Sequence, residues 1–388
     1  MGTEHSRRVL IVAGGTGGHI APALAVGNAL RHSGEDVVVR YLTGSRQIER
    51  QAFAAAHEFP DFLACERAPR LSLSAAPELL RYARSWSESW GMLRRFVPHV
   101  ILATGGYVCA PVLSAARLQG IPFFLHESNA VPGQVTRLFA KRARRVFVAL
   151  DAAAERLDAN ATCEVVGTPV RREMLEATRE DGLARFGFSA NNPVLFVIGG
   201  SQGAHGVNEA VLDALAHIPP SLQLQVIWAC GPLNHNTVKG QLDRSALPNV
   251  KVSLHPFLDD VHLAYAAADL VVSRAGASTL AEITARGLPS VLIPYPHAKD
   301  NHQWENAQAL AKCGAALIVE EASLGSRRLA TLLTDVLRST VRRGEMAVAA
   351  HELGRPGCAG EIADWLLDQS AHDTMTPSPI SDPEKLTA

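Results

Sequence analysis

A chain of 388 residues, 47% of them hydrophobic and 19% charged, is long enough for two cores and too apolar to stay unfolded. A formal net charge of −1 excludes a bulk polyelectrolyte partner, so nucleic acid is not an expected ligand. The six cysteines show no CxxC spacing, which argues against a zinc site and fits free thiols in a reducing compartment.

The N-terminal segment MGTEHSRRVLIVAGG lacks the long apolar run of a signal peptide, and no stretch of the chain reads as a membrane span. Val9–Ala13 is a continuous apolar run of strand length, the pattern of a strand buried on both faces. Glycines 14–18 break it, Ile20–Arg31 reads as a helix, and Val37–Tyr41 is the next strand. This βαβ unit opens a doubly wound α/β fold. Leu71–Val97 follows as amphipathic helix, with Leu79, Leu80, Trp86 and Trp90 among arginines that include Arg94 and Arg95. Two readings stay open there: an interfacial patch facing an anionic membrane surface, or an ordinary core helix with a wet basic face.

Val100–Ala103 is a strand that ends in the glycine turn Thr104–Gly106, and Pro122–His126, Arg145–Ala149 and Cys163–Val166 continue the series. Residues 1–170 hold 19 Lys and Arg against 14 Asp and Glu, and the remainder holds 18 against 24. The basic half invites an anionic ligand, although chance scatter fits as well.

A new cycle starts at Val194–Ile198 and runs into GGSQGAH at 199–205, the counterpart of GGTGGH at 14–19. Gln225–Ala229, Val250–Leu254, Leu270–Ser273, Ser290–Pro294 and Ala316–Val319 complete a second strand series. Two strand–glycine-turn–helix units in one chain predict two Rossmann-like domains facing a cleft. We expect an N-terminal domain over 1–170, a C-terminal domain over 171–355, and a polar, disordered tail over 372–388.

A helix N-terminus behind a glycine turn offers free N–H groups and a positive dipole end, which suits a phosphate. A turn whose glycines only permit close packing would look the same. His19 follows the first turn directly and is either a general base or a capping, structurally satisfied histidine. Glu282 lies a turn into the helix predicted after Ser273–Gly276, where it could hold ribose hydroxyls or close a capping box with Ser278 or Thr279. The polar run Asp300–Asn306 suits a hydroxyl-rich ligand or a solvated helix start. No Asp-x-Asp occurs before the tail, so no metal is expected on a sugar diphosphate.

Seven motifs together carry a resemblance: GGTGGHIAPALA at 14–25, ATGGYVCAP at 103–111, HESNAVPG at 126–133, VGTPVR at 166–171, GGSQGAHGVN at 199–208, SRAGASTLAE at 273–282 and DNHQWENA at 300–307. In this order they resemble the UDP-N-acetylglucosamine:N-acetylmuramyl-(pentapeptide) pyrophosphoryl-undecaprenol N-acetylglucosaminyltransferases of peptidoglycan synthesis. The resemblance implies a GT-B-type fold whose C-terminal helix, here about 356–371, crosses back onto the first domain. It implies inverting, cofactor- and metal-independent transfer of GlcNAc from UDP-GlcNAc to the C4 hydroxyl of the muramoyl sugar on lipid I, giving lipid II and UDP. It also implies a peripheral enzyme at the cytoplasmic face of the bacterial plasma (inner) membrane, with partners among cell-wall synthesis proteins.

Carried over by position, the resemblance assigns Thr16, Gly17 and Gly18 to the donor sugar and the acceptor diphosphate, and Asn129, Arg171 and Ser201 to the donor. Leu258 would give a backbone contact to uracil. Ala277, Ser278, Thr279, Leu280, Ala281 and Glu282 would hold diphosphate and ribose, and His302 and Gln303 sugar hydroxyls, with His19 the base. The competing readings are a GT-B-type enzyme acting on diacylglycerol, an NAD-dependent dehydrogenase and a UDP-sugar sensor without turnover. Strand Val37–Tyr41 lacks the acidic residue that the dehydrogenase would want at its end.

Overall fold

The computed structural model describes residues 6–15, 17–64, 76–200, 203–323 and 325–373. Thr16, Ser201, the start of the Leu71–Val97 segment and the tail beyond Asp373 lie outside them.

Among the described residues, thirteen strands form two parallel sheets. The first comprises β1 (Arg7–Ala13), β2 (Val37–Gly44), β3 (Asp61–Leu63), β4 (Val100–Gly105), β5 (Phe123–Glu127), β6 (Arg145–Val148) and β7 (Cys163–Val165), in the order β3-β2-β1-β4-β5-β6-β7. The second comprises β8 (Val194–Ile198), β9 (Leu224–Ala229), β10 (Val250–His255), β11 (Leu270–Ser273), β12 (Ser290–Leu292) and β13 (Ala316–Ile318), in the order β10-β9-β8-β11-β12-β13. Each sheet grows outward in both directions from its first strand, so each has a switch point, between β1 and β4 and between β8 and β11. Ligands of open α/β sheets bind beyond the strand C-termini at such points.

The apolar runs form strands because both faces are covered. Val9, Leu10, Ile11 and Val12 of β1 are fully buried, and alternate residues feed different cores. Each such side chain contributes about 1.5–3 kcal/mol on burial. The second sheet is likewise sandwiched between two clusters, around Trp228 on one face and Tyr265 on the other.

Three helices of the first half matter below: α1 (Gly17–Arg31), α2 (Gln47–Ala55) and α3 (Ala76–Phe96). The first begins three residues earlier than the sequence suggests, so His19 sits inside its first turn. Gly17 and Gly18 fall in the first turn, outside the helix interior where the conformational freedom of glycine is most costly. The C-terminal helix, Cys358–Asp373, extends to the last described residue. It lays Cys358, Ile362, Ala363, Leu366 and Leu367 against α1 and the first sheet, and Arg145 stacks on Trp365 at 3.8 Å. Strand β3, three residues behind Pro60, is the element of the first sheet that the sequence reading lacks.

Candidate active site

At the first switch point two glycine turns interlock around His19. The Gly14 amide donates to the Gly105 carbonyl at 3.0 Å. Gly106 adopts φ +93°, and a Cβ there would lie 2.3 Å from the Gly14 oxygen. A Cβ on Gly105, at φ +120°, would lie 2.7 Å from the His19 ring. Only glycine allows this approach. His19 Nδ1 is 2.8 Å from the Gly14 oxygen. A carbonyl can only accept, so Nδ1 carries the proton of the neutral ring and Nε2 keeps its lone pair. The ring is half-buried and lines a cavity with Gly105, Tyr107, Glu127, Asn129 and His302.

At the second switch point β11 runs through Arg274–Gly276 into the helix Ala277–Ala285. Its N-cap is Gly276, with no side-chain cap, so the capping box at Ser278 or Thr279 is not formed. The Leu280 amide already bonds the Gly276 carbonyl at 3.0 Å. Free donors are therefore confined to the first turn, Ala277–Thr279. Leu280 and Ala281 instead line a small cavity between the halves, with Ser128, Thr168 and Asn306. Glu282 faces a larger cavity with Gly17, Ile20, Arg171 and Phe257. Burial pushes the Glu282 carboxyl above the usual carboxylate range, against the opposing pull of the Arg171 guanidinium. The buried Tyr265 hydroxyl lies beside Glu282 and makes no well-formed hydrogen bond.

The strand C-termini of the two sheets face each other, and polar contacts bridge the seam. Pro22 has no N–H to give the Gly18 carbonyl, and Ser278 Oγ of the other half reaches that oxygen at 3.4 Å. The two helix N-termini thus converge. Each carries about half a positive charge, so both suit an anionic group. Asn306, fully buried, accepts from the Ala130 amide at 2.8 Å and donates to Asn129 Oδ1 and the Ala275 carbonyl, both at 3.2 Å. Arg156 pairs with Glu305 at 2.6 Å. Behind the seam, the buried Glu127 carboxylate accepts from the Asn129 and Gly133 amides, the Asn129 side chain and Thr136 Oγ1. That network fixes the 128–133 loop.

The cleft thus gathers His19, Asn129 and His302 around one cavity, and Gly17, Arg171 and Glu282 around another, with Gly18 and Ser278 in contact between the halves. His302 Nδ1 bonds the Lys299 carbonyl at 2.7 Å, and the Gln303 side-chain Oε1 accepts from the Tyr295 amide at 3.0 Å. Leu258 is buried in a core of the second half. The proposed membrane residues all lie on α3, away from these cavities. Leu79 and Leu80 are exposed at 60% and 72%, and Arg94 and Arg95 are exposed too. Trp86 and Trp90 stack on each other and lean half-buried on the first core. The sequence reading overlooked Glu127 and Asn306 as side chains that hold the seam and its loop, and also Glu49 of α2, whose carboxylate accepts the Gly15 amide at 2.6 Å from 34 positions away. Glu127 and Asn306 stood inside quoted motifs, which was the available signal.

Comparison with known proteins agrees with this architecture. Residues 9–148 match the family model of the glycosyltransferase family 28 N-terminal domain, and residues 194–359 that of its C-terminal domain. A relative from Moorella thermoacetica, named UDP-N-acetylglucosamine–N-acetylmuramyl-(pentapeptide) pyrophosphoryl-undecaprenol N-acetylglucosamine transferase, is 38% identical over 93% of this chain and 98% of its own. A Pseudomonas fluorescens protein of the same name is 38% identical over the same shares. The crystal structure of Acinetobacter baumannii MurG superposes with a TM-score of 0.74 at 27% identity, covering 93% of this chain and 99% of that one. A Neisseria meningitidis UDP-GlcNAc 2-epimerase bound to UDP-GlcNAc, at 15% identity and a TM-score of 0.66, shares the fold.

Proposed function

The chain belongs to the UDP-N-acetylglucosamine–N-acetylmuramyl-(pentapeptide) pyrophosphoryl-undecaprenol N-acetylglucosamine transferases of glycosyltransferase family 28, and on that premise we propose how its cleft works. It is a GT-B-type enzyme of peptidoglycan synthesis that transfers GlcNAc from UDP-GlcNAc to lipid I, forming lipid II and UDP.

The observation that carries the site reading is the convergence of two helix N-termini across the seam, beside a histidine whose Nε2 is free to accept a proton. The Ala277 helix and Arg171 receive the UDP diphosphate, where the first-turn amides stabilise charge that grows as UDP leaves. Glu282 takes the ribose hydroxyls from its place in the cavity that it lines with Gly17 and Arg171, where its carboxylate can accept two hydroxyl hydrogen bonds. Leu258 presents its backbone to uracil, and Asn129, Ser201, His302 and Gln303 hold the donor sugar. Thr16, Gly17 and Gly18 serve the transferred sugar and the acceptor's own diphosphate.

His19 is the base. The C4 hydroxyl of the muramoyl sugar attacks the anomeric carbon from the face opposite UDP, inverting it. The hydroxyl proton passes to His19 Nε2 as the new bond forms, and the electron pair of the breaking bond leaves with UDP. His19→Ala should lower turnover by about 10²–10⁴-fold while UDP still binds. Near-normal turnover in that variant would remove His19 from the chemistry.

The acceptor is anchored in lipid, and no helix among the described residues is long and apolar enough to cross a membrane. The outer face of α3 supports docking on the cytoplasmic leaflet, with Leu79 and Leu80 inserting and Arg94 and Arg95 meeting anionic headgroups. The two tryptophans help to fix that helix on its core. Other cell-wall synthesis proteins are further candidate partners.

A further inference from the structure

The most deeply buried acid near His19 is on neither glycine turn. Glu49, on α2, has 3% of its side chain exposed. Its Oε1 accepts the Gly15 amide at 2.6 Å, and its Oε2 accepts the Arg46 amide at 2.9 Å. Arg46 Nη2 bonds both Glu49 Oε1, at 3.2 Å, and the Gly15 carbonyl, at 2.6 Å. The space is reserved for this carboxylate, since a Cβ on Gly44 would lie 2.4 Å from Glu49 Oε2.

The Gly15 N–H and the Gly14 C=O belong to one peptide group. Glu49 binds its N–H end, and His19 Nδ1 donates to its C=O end at 2.8 Å. In a trans peptide these two groups point in opposite directions, so acid, peptide and imidazole stand in line. A carboxylate on the N–H draws that proton and leaves more negative charge on the oxygen, as cooperative hydrogen-bond chains do. The carbonyl then becomes a better acceptor for the imidazole N–H.

We propose that Glu49 is a positioning residue for transfer: through the Gly14–Gly15 peptide it fixes the His19 ring and stabilises the positive charge the ring acquires. The arrangement does the work of a carboxylate bonded directly to a histidine, with one peptide inserted between them. The proposal rests on His19 as the base. Glu49 gains no proton; the acceptor's proton stays on Nε2, and the Nδ1 proton does not move. Other charged groups near the ring are His126 and Glu127 on β5, and Lys299, Asp300 and His302 from the opposite half. Arg46 is the charge nearest Glu49 and opposes its effect.

The test compares kcat–pH profiles for the wild type, Glu49→Gln, Arg46→Met and His19→Ala, using UDP-GlcNAc and a soluble lipid I analogue. UDP affinity, which depends on the second half, is measured in parallel as a check on folding. Glu49→Gln should lower kcat by roughly tenfold to a hundredfold, with little change in KM for UDP-GlcNAc. Its acidic limb should move to lower pH, because the protonated ring has lost its support. Arg46→Met removes the opposing charge, and its limb should move to higher pH. A purely structural role would lower kcat in both variants and leave both limbs in place, which overturns the proposal. His19→Ala inactive with Glu49→Gln unimpaired sinks the relay alone. His19→Ala active sinks the base reading and the relay together.

Discussion

Asn306 is buried completely and makes three hydrogen bonds, two of them, to Ala130 and Asn129, across the seam between the halves and one, to Ala275, within its own half. Asn306→Ala leaves the Ala130 amide without an acceptor and takes a donor from the Ala275 carbonyl and from Asn129. An orphaned buried amide costs about 1–3 kcal/mol, and each net hydrogen bond lost costs about 0.5–1.5 kcal/mol. Water entering the emptied site offsets part of that, so about 1.5–3 kcal/mol remains against the closed arrangement, or roughly tenfold to a hundredfold. The closed arrangement brings His19 and the donor together, so kcat/KM for UDP-GlcNAc should fall by that factor. UDP affinity should change less, because Arg171 and the Ala277 helix stay intact. Asn306→Asp should be worse, since it buries a charge against two oxygens with no cation in the network. Steady-state kinetics with saturating acceptor, beside a thermal melt, provides the measurement. A kcat/KM within twofold of wild type for Asn306→Ala would refute the assignment of the seam.

Gly106→Ala should cost more activity than its size suggests. Its Cβ would meet the Gly14 oxygen at 2.3 Å and the residue would keep φ +93°, so the peptide that orients His19 must shift; an unchanged kcat would contradict that geometry. Burial lowers the proton affinity of His126, whose Nε2–H donates to the Gly167 carbonyl at 2.9 Å. The unfolded chain binds a proton there near its ordinary value of 6.5 and the folded chain resists, so stability should fall as pH drops through about 6.5. Urea denaturation at pH 7.5 and 5.5 should show this loss in wild type and less of it in His126→Gln; equal losses would count against the burial argument. On anionic vesicles, combined Leu79→Ser, Leu80→Ser, Arg94→Gln and Arg95→Gln should release the protein into the supernatant, and unchanged pelleting would eliminate the α3 patch.

The sequence made the fold legible because parallel strands covered on both faces are plain apolar runs, and Val194–Ile198 and Leu270–Ser273 are observed over their predicted spans. The paired glycine turns located both switch points. Strand ends shifted by up to three residues, as at the end of β2, and β3 is too short to show a pattern. The start of α1 was misread because Gly17 and Gly18 look like breakers, whereas the first turn loses little by them. Pro22 sits inside that helix because its missing N–H falls on the Gly18 carbonyl, which Ser278 reaches from the other half. Such compensation cannot be seen in a local window. Nor can the Glu49–Gly15 contact, 34 positions apart, or the Asn306–Ala130 contact, 176 apart. The helix starts proposed for the nucleotide are local features of the sequence, while the contacts around His19 are tertiary.

Release of UDP from UDP-GlcNAc, measured with and without a lipid I analogue, tests the central claim most directly. The account predicts UDP release that depends on the acceptor, with GlcNAc appearing on the muramoyl sugar and none on diacylglycerol. UDP release that ignores the lipid I analogue, or donor binding without turnover in its presence, would contradict it.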